Sequence, residues 1–146
     1  MPKLEYRRGD LLPCQAQVKV NAVNGLGFMG AGIALAFKEK YPQMFEDYHQ
    51  NCKEGYFSNF KSHFYKDTSG DIICNLQTVD DSLKGKMTYV VRGLQELKEF
   101  MLDNKLTTVA IPPLGCGIGG LDKKEVEEFI LWLFADTDIQ LYLYNF

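Results

Sequence analysis

Two short segments concentrate the residues able to do chemistry. The first reads Asn21-Ala-Val-Asn24-Gly25-Leu-Gly27-Phe-Met-Gly30-Ala-Gly32, and the second Leu114-Gly115-Cys116-Gly117-Ile118-Gly119-Gly120. Glycine lets backbone N–H groups come close to a ligand, and a helix start adds partial positive charge, so such segments suit a diphosphate. Two of them at strand ends can clamp one pyrophosphate from opposite sides. Asn21 and Asn24 carry amides that donate and accept, as the cis-diol of a ribose requires. Loop asparagines also bond their own backbone, so both readings stand for them. Asp10, in Arg8-Gly9-Asp10-Leu11, is equally a turn acid or an acceptor for an adenine amino group. The first segment lacks the Lys-Ser/Thr ending that would hold a triphosphate and magnesium. Its Gly25-x-Gly27-x-x-Gly30 spacing matches a dinucleotide fingerprint by letter. A Rossmann fold also wants an acid about 20 residues on, at a strand end. Asp47 instead falls inside a predicted helix.

These loops need elements to hold them. Val18 to Val23 reads as a strand, with Val18, Val20 and Ala22 on one face. The run after Gly32 is helical until Pro42, which can open a second helix carrying Phe45, Tyr48 and Cys52 and stopping at Gly55. Two strands follow, Lys61 to Tyr65 and Asp71 to Leu76, around the turn Asp67-Thr68-Ser69-Gly70. Thr88 to Asn104 is the clearest helix, with Val90, Leu94, Leu97 and Met101 as its apolar stripe. A short strand, Thr108 to Ile111, leads into the second glycine loop. Then come a helix from Lys123 to Phe134 and an alternating strand from Ile139 to Leu143. Strands alternating with helices predict an α/β layer fold with a parallel or mixed sheet, whose ligands sit beyond the strand C-termini.

Composition bounds the function. The chain has 146 residues, 46% hydrophobic and 24% charged, with a net charge of −3. That is the size of one domain, expected here over residues 1–146, with enough core to fold without staples. The mild acidity argues against a strongly basic nucleic-acid-binding face. No apolar run reaches membrane-span length and no secretory signal opens the chain, so a cytoplasmic monomer is expected. Cys14, Cys52, Cys74 and Cys116 are widely spaced with no C-x-x-C pair, and nothing calls for a metal or a cofactor.

Taken together, Gly9-Asp10-Leu11-Leu12, Val20-Asn21-Ala22-Val23-Asn24, Met29-Gly30-Ala31-Gly32-Ile33-Ala34 and Ile111-Pro-Pro-Leu-Gly-Cys-Gly-Ile-Gly-Gly-Leu121 resemble the macrodomain, an ADP-ribose-binding module. The resemblance covers nearly the whole chain and implies a three-layer α/β/α fold with a mixed central sheet. It is greatest to the branch holding terminal ADP-ribose glycohydrolases and DNA ADP-ribosyl glycohydrolase antitoxins. It implies Asp10 for adenine with the Leu11 backbone nearby, and Asn24 with Asn21 for the distal ribose. It further implies Gly30, Ala31, Gly32 and Ile33 for the diphosphate, and Gly115, Cys116, Gly117, Ile118 and Gly119 for the phosphates and distal ribose. Phe28 and Ile118 read as ribose walls.

The sequence departs from that branch at two places. Where the resemblance implies a lysine after the strand ending at Leu76, this chain has Val79, and Gly119 stands where some members carry an aspartate. Lys84 and Lys86 lie downstream and would need the loop to fold back. Without the lysine, hydrolysis needs a base for water, for which Asp80 and Asp81 are candidates, or attack assisted by the substrate's own diphosphate. Asn24 would orient the water. Asp122 reads as a helix cap, His49 and His63 as structural, and Cys116 as lacking a paired base. The expected function is an ADP-ribose-binding macrodomain that hydrolyses ADP-ribosyl groups on nucleic acid or protein, or removes the phosphate of ADP-ribose 1″-phosphate. The alternative is a non-catalytic reader.

Overall fold

The computed structural model describes residues 2–59 and 62–146. Six strands build one sheet: β1 (Lys3–Arg7), β2 (Val18–Val23), β3 (His63–Lys66), β4 (Ile72–Gln77), β5 (Thr108–Ile111) and β6 (Gln140–Tyr144). Their order is β1-β6-β5-β2-β4-β3, all parallel except β3, which runs antiparallel to β4. Four helices complete the fold: α1 (Gly32–Lys40), α2 (Pro42–Lys53), α3 (Met87–Asp103) and α4 (Lys123–Leu133). The mixed α/β sheet expected from the sequence is thus observed.

Side chains of β2 alternate between two cores. Val18 and Val20 join the apolar stripes of α3 and α4, including Leu94, Leu97 and Ile130. Val23, on the opposite face, packs with Phe37 of α1 and Met44 and Tyr48 of α2. Burial on both faces takes even Lys19 and Asn21 of β2 out of solvent. Pro42 opens α2 where its missing N–H costs nothing, directly after the Tyr41 amide closes α1 on the Phe37 carbonyl.

β1 was not foreseen. Its residues KLEYR are mostly exposed, so no apolar face announces a strand. Backbone pairing with β6 at the sheet edge holds it instead. The strand expected from Lys61 is observed from His63, Lys61 itself lying outside the described residues. One turn of 3-10 helix at Tyr56–Asn59 precedes it.

From β2 the chain crosses to β4 on one side, and from β4 back to β5 on the other. The loops after β2 and β5 therefore leave the sheet side by side, at the point where the winding reverses. Ligands in open α/β sheets bind at such a point.

Candidate functional site

The two glycine loops face each other across a cavity of about 770 Å³, ample for a nucleotide-sized ligand. Asn24, Phe28 and Gly30–Ile33 line one side, and Gly115–Gly119 the other. Val79 and Leu83, from the segment between β4 and α3, form a third wall.

Helix α2 holds the first loop. The Tyr48 hydroxyl donates to Asn24 Oδ1 at 2.8 Å and accepts the Gly25 amide at 3.0 Å. His49 Nδ1 lies 2.7 Å from the Gly27 carbonyl, a contact that requires the proton on that nitrogen. Asn24 Oδ1 also accepts the Leu26 amide at 2.8 Å, while its Nδ2 donates to the Phe28 carbonyl at 3.1 Å. Both acceptor lone pairs of Asn24 are therefore committed, and one amide N–H remains for the cavity. The loop ends at Ala31, which gives α1 no side-chain cap, and no acidic residue stands in its first turn. The amides of that turn have no acceptor within the helix and carry its positive end toward the cavity.

The second loop is folded on itself. The Leu121 amide donates to the Gly115 carbonyl at 2.9 Å, and the Gly120 amide to the Gly117 carbonyl at 3.1 Å. Gly119 is obligatory here: a Cβ on it would stand 2.6 Å from the Gly115 oxygen and 3.1 Å from Val79 Cγ1. The Gly119 carbonyl in turn accepts the Gly85 amide at 2.8 Å, tying this loop to the third wall. Among the described residues, the amides of Gly117, Ile118 and Gly119 make no hydrogen bond, so three donors remain at the cavity. Asp122 Oδ1 accepts the Lys124 amide at 3.0 Å, as the cap of α4 that the sequence predicts.

Several expected residues stand elsewhere. Asn21 is fully buried on β2 and outside the cavity lining. Its Nδ2 donates to Asn75 Oδ1 at 3.0 Å, in a chain continued by His63 Nδ1 at 3.0 Å from Asn75 Nδ2 and by Asp47 Oδ2 at 2.7 Å from His63 Nε2. A strand alternates sides, so Asn21 turns toward α2, and the chain lines the cavity from Ala22 to Asn24 instead. Asp10 and Leu11 are also outside the lining. Asp10 Oδ1 accepts the Leu12 amide at 3.0 Å, and Leu11 is buried. Asn145 connects that turn to the cavity: it lines the wall, and its side chain bonds both the Gly9 amide at 2.9 Å and the Gly9 carbonyl at 3.0 Å.

Asp80 folds its own loop. Its Oδ1 accepts the Ser82 and Lys84 amides at 2.9 and 3.0 Å, and Lys86 Nζ lies 3.7 Å from Oδ2. These bonds, the Lys84 amide foremost, hold its carboxyl below the usual carboxylate range, which makes it a poor base. The segment is pinned by a Val79–Gly85 bridge, and neither Lys84 nor Lys86 lines the cavity. Burial pushes the Cys116 thiol up, with the charge of Lys123 opposing, so it is no ready nucleophile. Lys123 is the residue that sequence reasoning missed. It lines the cavity, yet the sequence offers only a lysine in the first turn of a helix.

Comparison with known proteins agrees with this geometry. The Macro domain family model matches residues 20–130. A DNA ADP-ribosyl glycohydrolase of Mycobacterium tuberculosis is 38% identical over 148 residues, 95% of this chain and 42% of that protein. The chain thus spans about two fifths of that relative's length. The ADP-ribose glycohydrolase OARD1 of Homo sapiens is 30% identical over 146 residues, 98% of this chain and 91% of that protein. Among solved structures, the macrodomain of Mycobacterium tuberculosis DarG superposes with a TM-score of 0.92 at 35% identity, covering 99% of this chain and 98% of that one. Six strands, four helices and two glycine loops in this arrangement, matched across nearly the whole chain, place it in the macro domain family.

Proposed function

We propose that this macro domain, a single domain over residues 1–146, binds ADP-ribose across its two glycine loops and hydrolyses ADP-ribosyl groups, acting in the cytoplasm as a monomer. The observation that carries the reading is the cavity itself. Residues with unspent amides line it on both sides, and among the described residues no carboxylate does. Such a wall selects a diphosphate. The turn of Asp10 and Leu11, anchored through Asn145, is the natural seat for adenine. Phe28 and Ile118, 49% and 85% exposed at the rim, offer apolar walls for the distal ribose. The relatives named as glycohydrolases support hydrolysis of the bond at that ribose.

With Asp80 outside the lining, the diphosphate is the group best able to take a proton from water. The remaining Asn24 amide proton would orient that water toward the anomeric carbon. Water adds there, the bond to the leaving group breaks, and the proton passes by way of the diphosphate to that group. A second reading, a reader that binds ADP-ribose without cleaving it, is favoured by Val79, whose side chain can neither attack nor stabilise charge.

Titration calorimetry with ADP-ribose tests the shared part: binding is expected, and no heat at millimolar ligand would end both readings. Asn24→Ala and Gly117→Glu are expected to lose binding with unchanged circular dichroism, since a Cβ at Gly117 meets nothing within 4 Å. Turnover of ADP-ribosylated DNA, ADP-ribosylated protein and ADP-ribose 1″-phosphate, assayed side by side, separates enzyme from reader. Silence on all three leaves the reader.

A further inference from the structure

Among the described residues lining the cavity, Lys123 alone carries a charge. The protein as a whole is negative by three charges, so a lone cation on this wall is not a sample of the general surface. Lys123 Nζ donates to the Asn145 backbone carbonyl at 2.8 Å, a neutral acceptor, and two of its three protons stay available. The same Asn145 grips Gly9 at both its amide and its carbonyl, which fixes the ammonium beside the Gly9–Leu11 turn. At the other side, its charge is felt at the Cys116 thiol in the second glycine loop. The Asp122 carboxylate is engaged with the Lys124 amide, and no carboxylate of the described residues forms an ion pair with Lys123.

We infer that Lys123 is a phosphate-binding residue of the cavity, contacting a phosphoryl group on the adenosine half of the nucleotide. The inference rests on the proposed ADP-ribose site and deepens it. Replacing a neutral carbonyl by an anionic oxygen strengthens the hydrogen bond, and the ammonium is already placed to make it. Two phosphoryl groups meet the description: the adenosine-side phosphate of the diphosphate, and a phosphate on the 2′ hydroxyl of the adenosine ribose. Contact with either makes binding sensitive to salt through this one side chain.

The test titrates ADP-ribose, its 2′-phosphorylated form and adenosine against the wild-type chain, Lys123→Gln and Lys123→Arg, at low and high salt. If the partner is the diphosphate, Lys123→Gln weakens ADP-ribose about fivefold at low salt, flattens its salt dependence and leaves adenosine unchanged. If the partner is the 2′-phosphate, the wild type prefers the phosphorylated form about fivefold, and Lys123→Gln erases that preference alone. Lys123→Arg keeps the wild-type pattern in either case. Equal affinities of Lys123→Gln and wild type for both phosphorylated ligands overturn the inference while leaving the ADP-ribose site intact. So does an equal loss for adenosine. A wild-type chain that binds none of the three overturns the site and the inference together.

Discussion

Val79 is the residue on which the chemistry turns. It occupies a cavity wall where the family resemblance implies a lysine, and its neighbours supply no substitute. Asp80 spends its carboxylate on its own loop, and Lys86 pairs with it. Val79→Lys therefore places an ammonium where the present wall is apolar. It is expected to create glycohydrolase activity or raise it at least tenfold, measured on ADP-ribosylated DNA. Unchanged turnover would mean that position 79 does not face the anomeric carbon. Residue types alone brought the reading this far. Glycine density named both loops, and Asn24 lines the cavity between them. What sequence could not supply was direction. Asn21 and Asn24 look alike as amides, yet strand alternation sends one into the core beside Asn75 and leaves the other at the cavity. Lys123 was invisible for the converse reason: nothing in a charged first turn says which way a lysine points.

Among the helices, α2 rather than α1 governs the first loop. Tyr48 and His49 bond it directly, while Met44 accepts from Asn75 behind it at 3.2 Å. Tyr48→Phe removes one donor and one acceptor from a fully buried position. It is expected to cost about 1–3 kcal/mol of stability in denaturant melts. The loosened Asn24 should also weaken ADP-ribose several-fold in calorimetry; full affinity would show that the loop holds its shape unaided. Most elements were legible because their periodicity was strong: α3 came within a residue at each end, and β5 matched throughout. β1 escaped because it is held by backbone bonds to β6, not by a buried face, and such bonds leave no pattern in side-chain polarity.

For the molecule as a whole, two cores share one sheet, and buried phenols sit in the one beneath α1 and α2. Burial is the leading cause that pushes Tyr41 and Tyr48 well above the ordinary tyrosine value. A phenol with a raised folded pKa contributes stability in full below pH about 10 and loses it as pH climbs toward the folded value. Lys19, lowered chiefly by burial, acts in the opposite sense but is a single group against these. Unfolding free energy is therefore expected to fall steadily above pH 10. Tyr41→Phe and Tyr48→Phe should each flatten that slope in denaturant melts, and a slope unaltered in both would place the alkaline weakness elsewhere. Overall acidity, meanwhile, says little about this cavity, where the one charge among the described lining residues is positive.

The contact of Gly119 with Gly115 and Val79 also sets an order in which this sequence can change. Position 79 faces open space and can be exchanged while the loop stays as it is. Position 119 has no room for even one more carbon until the Gly115 carbonyl moves. A carboxylate can therefore stand at position 119 only after the second loop has been recast, whereas a lysine at 79 is one substitution away. Of the two departures from the glycohydrolase pattern, one is reversible in a single step and the other is locked by the backbone around it.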